Sequence, residues 1–207
     1  ETDGSYQAQD LANPKQLPLA LLQLAIDNNG SYPVKQPCTD YSSAPATPPS
    51  NSNDAYWWLF PNYLQSEGIF AISGSAYTPA NPDNRLDPPT AGTRTDTLKT
   101  GENTYAYVFG LTDTSNPIFP LIADGFATGS PGTYTTNRAV KGGVWSGKKT
   151  VVVFCDSGGR VMRIDPTSHQ VQRTDSSGTK VNMFVGAADW FDTTANPVPK
   201  SAVTPNG

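Results

Sequence analysis

Apolar residues recur with helical spacing near the start of the chain and gather into strand-like runs in its second half. Within Asn13–Pro33, NPKQLPLALLQLAIDNNGSYP, Leu17, Ala20, Leu21, Leu24 and Ala25 fall at i, i+3, i+4, i+7 and i+8. That spacing lines one face of a helix. Leu19, Leu22 and Ile26 form a second stripe on the neighbouring arc, and the Asn29-Gly30 pair ends the element. A helix that is apolar over so much of its circumference needs cover on more than one side. The domain's own sheet supplies one cover; the other points to a partner, a subunit contact or a seat near a membrane.

Ser31–Asn53 is rich in Pro, Ser, Thr and Asn and reads as a surface excursion. Asp54 is the predicted N-cap of a second helix, AYWWLFPNYLQSEG, ending near Gly68 and broken or kinked at Pro61. A brief strand is predicted over Ile69–Ile72, and the polar, Pro-rich stretch Gly74–Gly101 has no periodicity. Further strands are predicted at Thr104–Leu111, Pro120–Asp124 and Thr150–Asp156, the last a continuous apolar run suited to burial on both faces. Ser157-Gly158-Gly159 turns the chain into a return strand, Arg160–Ile164, and Lys180–Val185 adds another. The tail Thr193–Gly207 reads as irregular. Helices followed by antiparallel strands predict one α+β domain, an N-terminal helix packed on an antiparallel sheet. Its parts are a helix within 1–30, loops and a short second helix over 31–103, the sheet over 104–192, and the tail 193–207.

The chain has 207 residues, 36% of them hydrophobic, with 18 Gly and 19 Pro, which is enough for one core and much loop. A net charge of −4 without a Lys/Arg stripe argues against a nucleic-acid partner. Its surface, poor in charge and rich in Ser, Thr, Asn and Gln, suits an exported protein. The longest apolar run, Leu17–Ile26, covers about half of the ~20 residues a membrane-spanning helix needs. Cys38 and Cys155 are the only cysteines; they are either a bridge closing a long loop or two thiols, with Cys155 a small core residue.

Candidate chemistry is sparse. Cys155-Asp156-Ser157-Gly158-Gly159 looks like a serine-protease nucleophile loop, but the single histidine, His169, lies downstream, and Asp-Ser-Gly is ordinary turn chemistry. An aspartic-protease reading needs a second carboxylate, for which Ala123-Asp124-Gly125 is the nearest candidate. One histidine and two distant cysteines make no zinc pattern. Asp83, Asn84 and Asp87, or Asp113 with Asp124, offer oxygen ligands for calcium without EF-hand spacing. Trp57 and Trp58, beside Tyr56, Phe60 and Tyr63, are expected to pack the second helix onto the sheet; the alternative is a sugar-stacking platform. These residues predict neither an enzyme nor a bound cofactor.

Three segments, taken in order, resemble one family. NPKQLPLALLQLAIDNNGSYP at Asn13–Pro33, YWWLFPNYLQSEGIFAISGSAYTP at Tyr56–Pro79, and Gly142-Gly143 through VVVFCDSGGRVMRI to Ile164 are similar to type IV pilin-like proteins and type II secretion pseudopilins. The form is the one found in verrucomicrobia and planctomycetes. The resemblance implies a precursor with an N-terminal cleavage and methylation signal fused to a membrane helix that is missing here. It implies a soluble domain in the periplasm or on the cell surface, anchored to the inner membrane, whose partners are other pilin or pseudopilin subunits and the secretion machinery. Leu19, Leu22 and Ile26 become the candidate assembly interface of a non-enzymatic structural subunit. The alternative is a secreted or surface binding module, glycan-binding or adhesin-like, using its aromatic-rich loops. Two departures stand out: Pro14 and Pro18 fall where such chains continue a helix, so the helix either starts there or kinks, and Asp156-Ser157-Gly158 replaces an Asp-Gly turn.

Overall fold

The computed structural model describes residues 10–28, 30, 32–33, 51–79, 81–88, 91–111, 113, 115–128, 130–156, 158–185, 201–203 and 205. The side chains of 201–203 are outside this description.

Residues 10–15 are helical, a turn interrupts at 16, and helix α1 follows at Leu17–Asp27. The two prolines cause the break. Pro18 stands in the first turn of α1, where its missing N–H is not needed, and Gln16 N–H reaches Asn13 C=O (3.1 Å) in a tightened turn. Of the two readings of these prolines, the interrupted helix is the one observed. At the other end Asn28 closes α1 through its backbone N–H on Ala25 C=O (3.0 Å) and its side-chain amide on Leu24 C=O (2.7 Å). Gly30, at φ +82°, then takes the left-handed conformation that ends helices.

Helix α2 is shorter than its sequence suggests. It spans Ser52–Trp57, and its N-cap is Asn51, whose side chain accepts Asp54 N–H (2.9 Å), so Asp54 lies inside the first turn rather than at the cap. The break expected around Pro61 is found, and it comes early: the helix ends at Trp57, and a separate turn follows in which Tyr63 and Leu64 N–H reach Leu59 C=O (both 2.9 Å). Ile69–Ile72 is not a strand either; Gly68–Phe70 forms a 3₁₀ turn.

The strands are β1 Tyr105–Phe109, β2 Pro120–Asp124, β3 Lys149–Phe154, β4 Gly159–Arg163, β5 Gln172–Thr174, β6 Lys180–Asn182 and β7 Ser201–Val203. Five of them make an antiparallel sheet in the order β4-β3-β2-β1-β7, and β5 and β6 make a separate two-stranded ribbon. The α+β architecture is therefore as expected: an N-terminal helix in contact with an antiparallel sheet. Two details differ. The tail carries a strand, β7, against β1, and the segment at Lys180 pairs with β5 instead of extending the main sheet.

Strands β1, β2 and nearly all of β3 are buried at every position, so the sheet is covered on both faces. The buried face of α1, Leu17, Ala20, Leu21, Leu24 and Ala25, joins Tyr56, Phe70, Tyr107 and Phe109 in one core. The hydroxyls of that core are satisfied by the main chain. Tyr56 Oη donates to Ala106 C=O (2.8 Å), Tyr107 Oη to Pro33 C=O (2.7 Å) and Tyr134 Oη to Asp124 C=O (2.9 Å). Helix α2 is tied to β1 by Ser52 Oγ donating to Tyr105 C=O (2.7 Å).

Candidate functional site

All five residues of the predicted buried stripe of α1 are at most 3% exposed. The neighbouring stripe is not sheltered: Leu19 is 63% exposed, Leu22 39% and Ile26 67%. The three lie at i, i+3 and i+7, one above another on a single face, so they form a continuous apolar strip, whereas the other exposed large hydrophobic residues, Ile118, Val140, Val161 and Val185, lie on other segments. No helix among the described residues is long and apolar enough to cross a membrane.

The carboxylates named as calcium candidates do not converge. Asp87 Oδ1 and Oδ2 accept the backbone N–H groups of Thr95, Asp96 and Thr97 (2.9–3.1 Å) and Thr95 Oγ1 (2.6 Å), which fixes the loop 91–98. Those donors hold its carboxyl below the usual range against the opposing effect of burial. Asp113 is exposed beside Gly30, whose C=O accepts its N–H (3.0 Å). Asp83 instead groups with Glu67 and Glu102, two buried acids that no sequence signal singled out. In this cluster Glu67 accepts Leu98 N–H (3.0 Å) and Asn84 N–H (3.2 Å), and Glu102 accepts Lys99 N–H (3.0 Å) and Asp83 N–H (3.3 Å). Lys99 Nζ binds Asp83, which lowers the Asp83 carboxyl to about 2. Burial and the facing Glu67 push Glu102 up to about 7. Four main-chain donors and a lysine thus account for this acid group as a clasp for loop 81–104.

Asp124 is buried at the end of β2, and its partner is a residue from the other end of the chain. Trp145 Nε1–H lies 2.6 Å from Asp10 Oδ2 and 3.1 Å from Asp124 Oδ2. Asp124 Oδ2 also accepts Val151 N–H (3.0 Å) and Thr150 Oγ1–H (3.3 Å). Both carboxyls are raised, Asp10 strongly: burial raises each, the facing Asp124 raises Asp10 further, and hydrogen bonds, the one from Asp10 first among them, hold Asp124 down against its burial. A second acid beside Asp124 is what the aspartic-protease reading asked for, but this pair is sealed in the core, away from any substrate, and pins residue 10 to the sheet.

Asp156 accepts Gly158 N–H (2.7 Å) and pairs with Arg160 (3.3 Å), a hairpin turn; Ser157 lies outside the described residues. His169 sits in the turn after β4, its backbone N–H on Asp165 C=O (2.9 Å). Cys155 is a free, partly buried thiol pushed up to about 12 by burial and by Asp156, and Cys38, its candidate bridge partner, lies outside the described residues. Tyr56, Trp57 and Phe60 are core residues; only Trp58 and Tyr63 keep partial exposure. The loop candidates 31–53 and 74–101 fall partly outside the described residues.

The exposed strip on α1 has no partner within the described residues. No protein-family model, curated protein or solved structure matches this chain.

Proposed function

We propose that the chain is a non-enzymatic structural subunit of a pilus-like or pseudopilus-like assembly in the cell envelope, joined to neighbouring subunits through the outer stripe of α1. The observation that carries this reading is the contrast on one helix: five apolar residues enclosed and three, Leu19, Leu22 and Ile26, left to solvent. The resemblance of the N-terminal segment to pilin-like proteins supports the same reading.

Magnitudes shape it further. Fully burying a Leu or Ile side chain is worth about 1.5–3 kcal/mol, and the exposed fractions of the three add up to less than two whole side chains. Association costs about 4–15 kcal/mol in lost freedom, so this strip alone does not dimerise the free domain. It contributes where neighbours are already held at high effective concentration, as in a fibre whose subunits share another attachment. A helix strip meeting a different surface on the next subunit is a heterologous contact, which propagates instead of closing.

The test places Leu19→Asp and Ile26→Asp in the full-length protein. Incorporation is measured by cross-linking through a cysteine at position 22. Loss of cross-linked ladders with an unchanged melting temperature is expected. Ladders of wild-type length from the double variant would refute the reading.

A further inference from the structure

A joint separates residues 10–15 from α1. Pro14 and Pro18 lack N–H groups on either side of it, and Gln16 N–H bonds Asn13 C=O (3.1 Å) across it. Isolated helical turns are marginal in water, so residues 10–15 stay on the sheet through what they touch. Pro14 is buried, and Asn13 Nδ2–H donates to Ala71 C=O (3.2 Å). Leu11 and Lys15 pass over the start of β4, where a Cβ at Gly159 would lie 3.2 Å from Leu11 Cδ1 and 2.8 Å from Lys15 Cε. The innermost anchor is the Asp10 carboxyl, 0% exposed beside Asp124. Beyond the joint, α1 is held independently by its own enclosed face, Leu17 to Ala25.

The Asp10 anchor differs from the others because it holds in one protonation state only. Trp145 Nε1–H is shared between Asp10 Oδ2 and Asp124 Oδ2, and the second oxygen of each carboxyl has no donor among the described residues. Neither carboxyl forms an ion pair with a described Lys or Arg. The groups that face them are Tyr105 from β1, Tyr134 from the loop before β3 and Thr150 of β3, with Tyr56 and Tyr77 next to the two tyrosines. None of these carries a positive charge. Lys149 stands at the Trp145 ring, Nζ 5.2 Å from its centre, and Lys15 is exposed at Gly159. With one proton between them the two carboxyls hydrogen-bond each other; with none, two anions compete for one N–H in a dry site, an arrangement carboxyl pairs avoid. The two are not equally fixed. Asp124 keeps Val151 N–H (3.0 Å) and Thr150 Oγ1–H (3.3 Å), whereas Asp10 has Trp145 alone, so Asp10 is the one driven out to water.

We infer that residues 10–15 are a proton-locked strap, docked on the sheet while Asp10 and Asp124 share a proton and swung away at the joint around Gln16, with α1 left in place, once that proton is lost. Release accompanies a rise in pH, because the docked state binds one proton more than the state with Asp10 in water. It uncovers the start of β4 at Gly159 and frees the Trp145 N–H. The device has the parts such switches require: a buried titratable contact, a hinge and an element that is stable without the moving piece. The inference does not rest on the filament reading, because it involves neither the outer stripe of α1 nor a second subunit.

Amide NMR spectra of the intact chain, recorded from about pH 5 to about pH 9, test it. The amides of Leu11, Asn13 and Lys15 are expected to move to disordered-chain positions in one transition, and the Trp145 indole N–H to move with them. Leu21, Leu24 and Val152 are expected to keep their shifts and their exchange protection. The released-to-docked ratio should rise by at most about tenfold per pH unit, as loss of a single proton requires. Asp10→Asn supplies an N–H to Asp124 at every pH and is expected to stay docked throughout. Each of three results would overturn the proposal: strap signals that do not change over the range, Leu21 and Val152 shifting together with the strap, or Asp10→Asn repeating the wild-type transition. Asp124→Asn, with its melting temperature measured in parallel, provides a second variant, and the wild-type titration needs neither.

Discussion

Asp10 and Asp124, far apart in the chain, share the indole N–H of Trp145 at 2.6 and 3.1 Å. This contact fixes the helical stretch 10–15 to the end of β2, and both carboxyls are fully buried. Their remaining oxygens, Asp10 Oδ1 and Asp124 Oδ1, have no N–H or O–H donor among the described residues, so a proton held between the carboxyls is what the site calls for.

Stability should therefore fall as the pH rises above the ordinary carboxylate value of 3.8. A carboxyl whose folded pKa is raised binds more protons folded than unfolded. Its stabilising contribution is complete below the unfolded value and is lost as the pH climbs through the folded one. Asp10→Asn supplies a permanent N–H donor to Asp124 and should flatten that part of the melting profile. Parallel profiles for wild type and variant would show that the pair holds no proton.

Glu102 gives a second, separable pH dependence. With its carboxyl raised to about 7 by burial and by Glu67, the loop clasp contributes fully below 4.5 and loses that contribution as the pH passes about 7. Glu102→Gln should remove this loss, read as slower amide exchange at Leu98 and Lys99 in mild alkali. Exchange as fast as in wild type would count against the coupled acids.

The two stripes of α1 should respond to truncation very differently. Leu17→Ala removes a fully enclosed side chain and should cost about 2–5 kcal/mol in a denaturant titration. Leu19→Ala, on the 63% exposed residue two positions on, should stay within about 0.5 kcal/mol. Similar costs at both sites would mean that the outer stripe is covered.

Gly142 and Gly178 share a left-handed backbone, φ +83° and +84°, but not the same surroundings. A Cβ at Gly178 meets open space, whereas one at Gly142 runs into the main chain of Ala127 and Phe126. Gly178→Ala should cost about 1–2 kcal/mol for conformation alone. Gly142→Ala should cost about 1–3 kcal/mol beyond that for the clash, which equilibrium unfolding of the two variants measures directly.

Much of the frame is legible in local patterns. The i, i+3, i+4 rhythm of Leu17–Ala25 identifies the buried face of α1, and the β-branched and aromatic runs identify β1 to β4 to within a few residues. The misreadings arise where local signals are weak or contested. Asn51 and Asp54 are both good caps, and only the observed bond from Asp54 N–H to Asn51 chooses between them. A three-residue strand such as Ser201–Val203 carries too few positions for any period to show, and it exists because β1 offers a free edge. Glu67 and Glu102 look like ordinary surface acids in sequence, yet chain closure buries both, 2% exposed or less.

By itself the sequence decides which residues of each element turn inward, because helix and strand periodicity are properties of a few neighbouring dihedrals. It also leaves three apolar residues of α1 in surplus over what one face can bury. Which distant groups meet is decided by the tertiary structure alone: Asp10 with Asp124, and Glu67 with Glu102. Those meetings depend on strand order and register, which are settled by the summed packing of the whole chain and leave no trace in the spacing of any one segment.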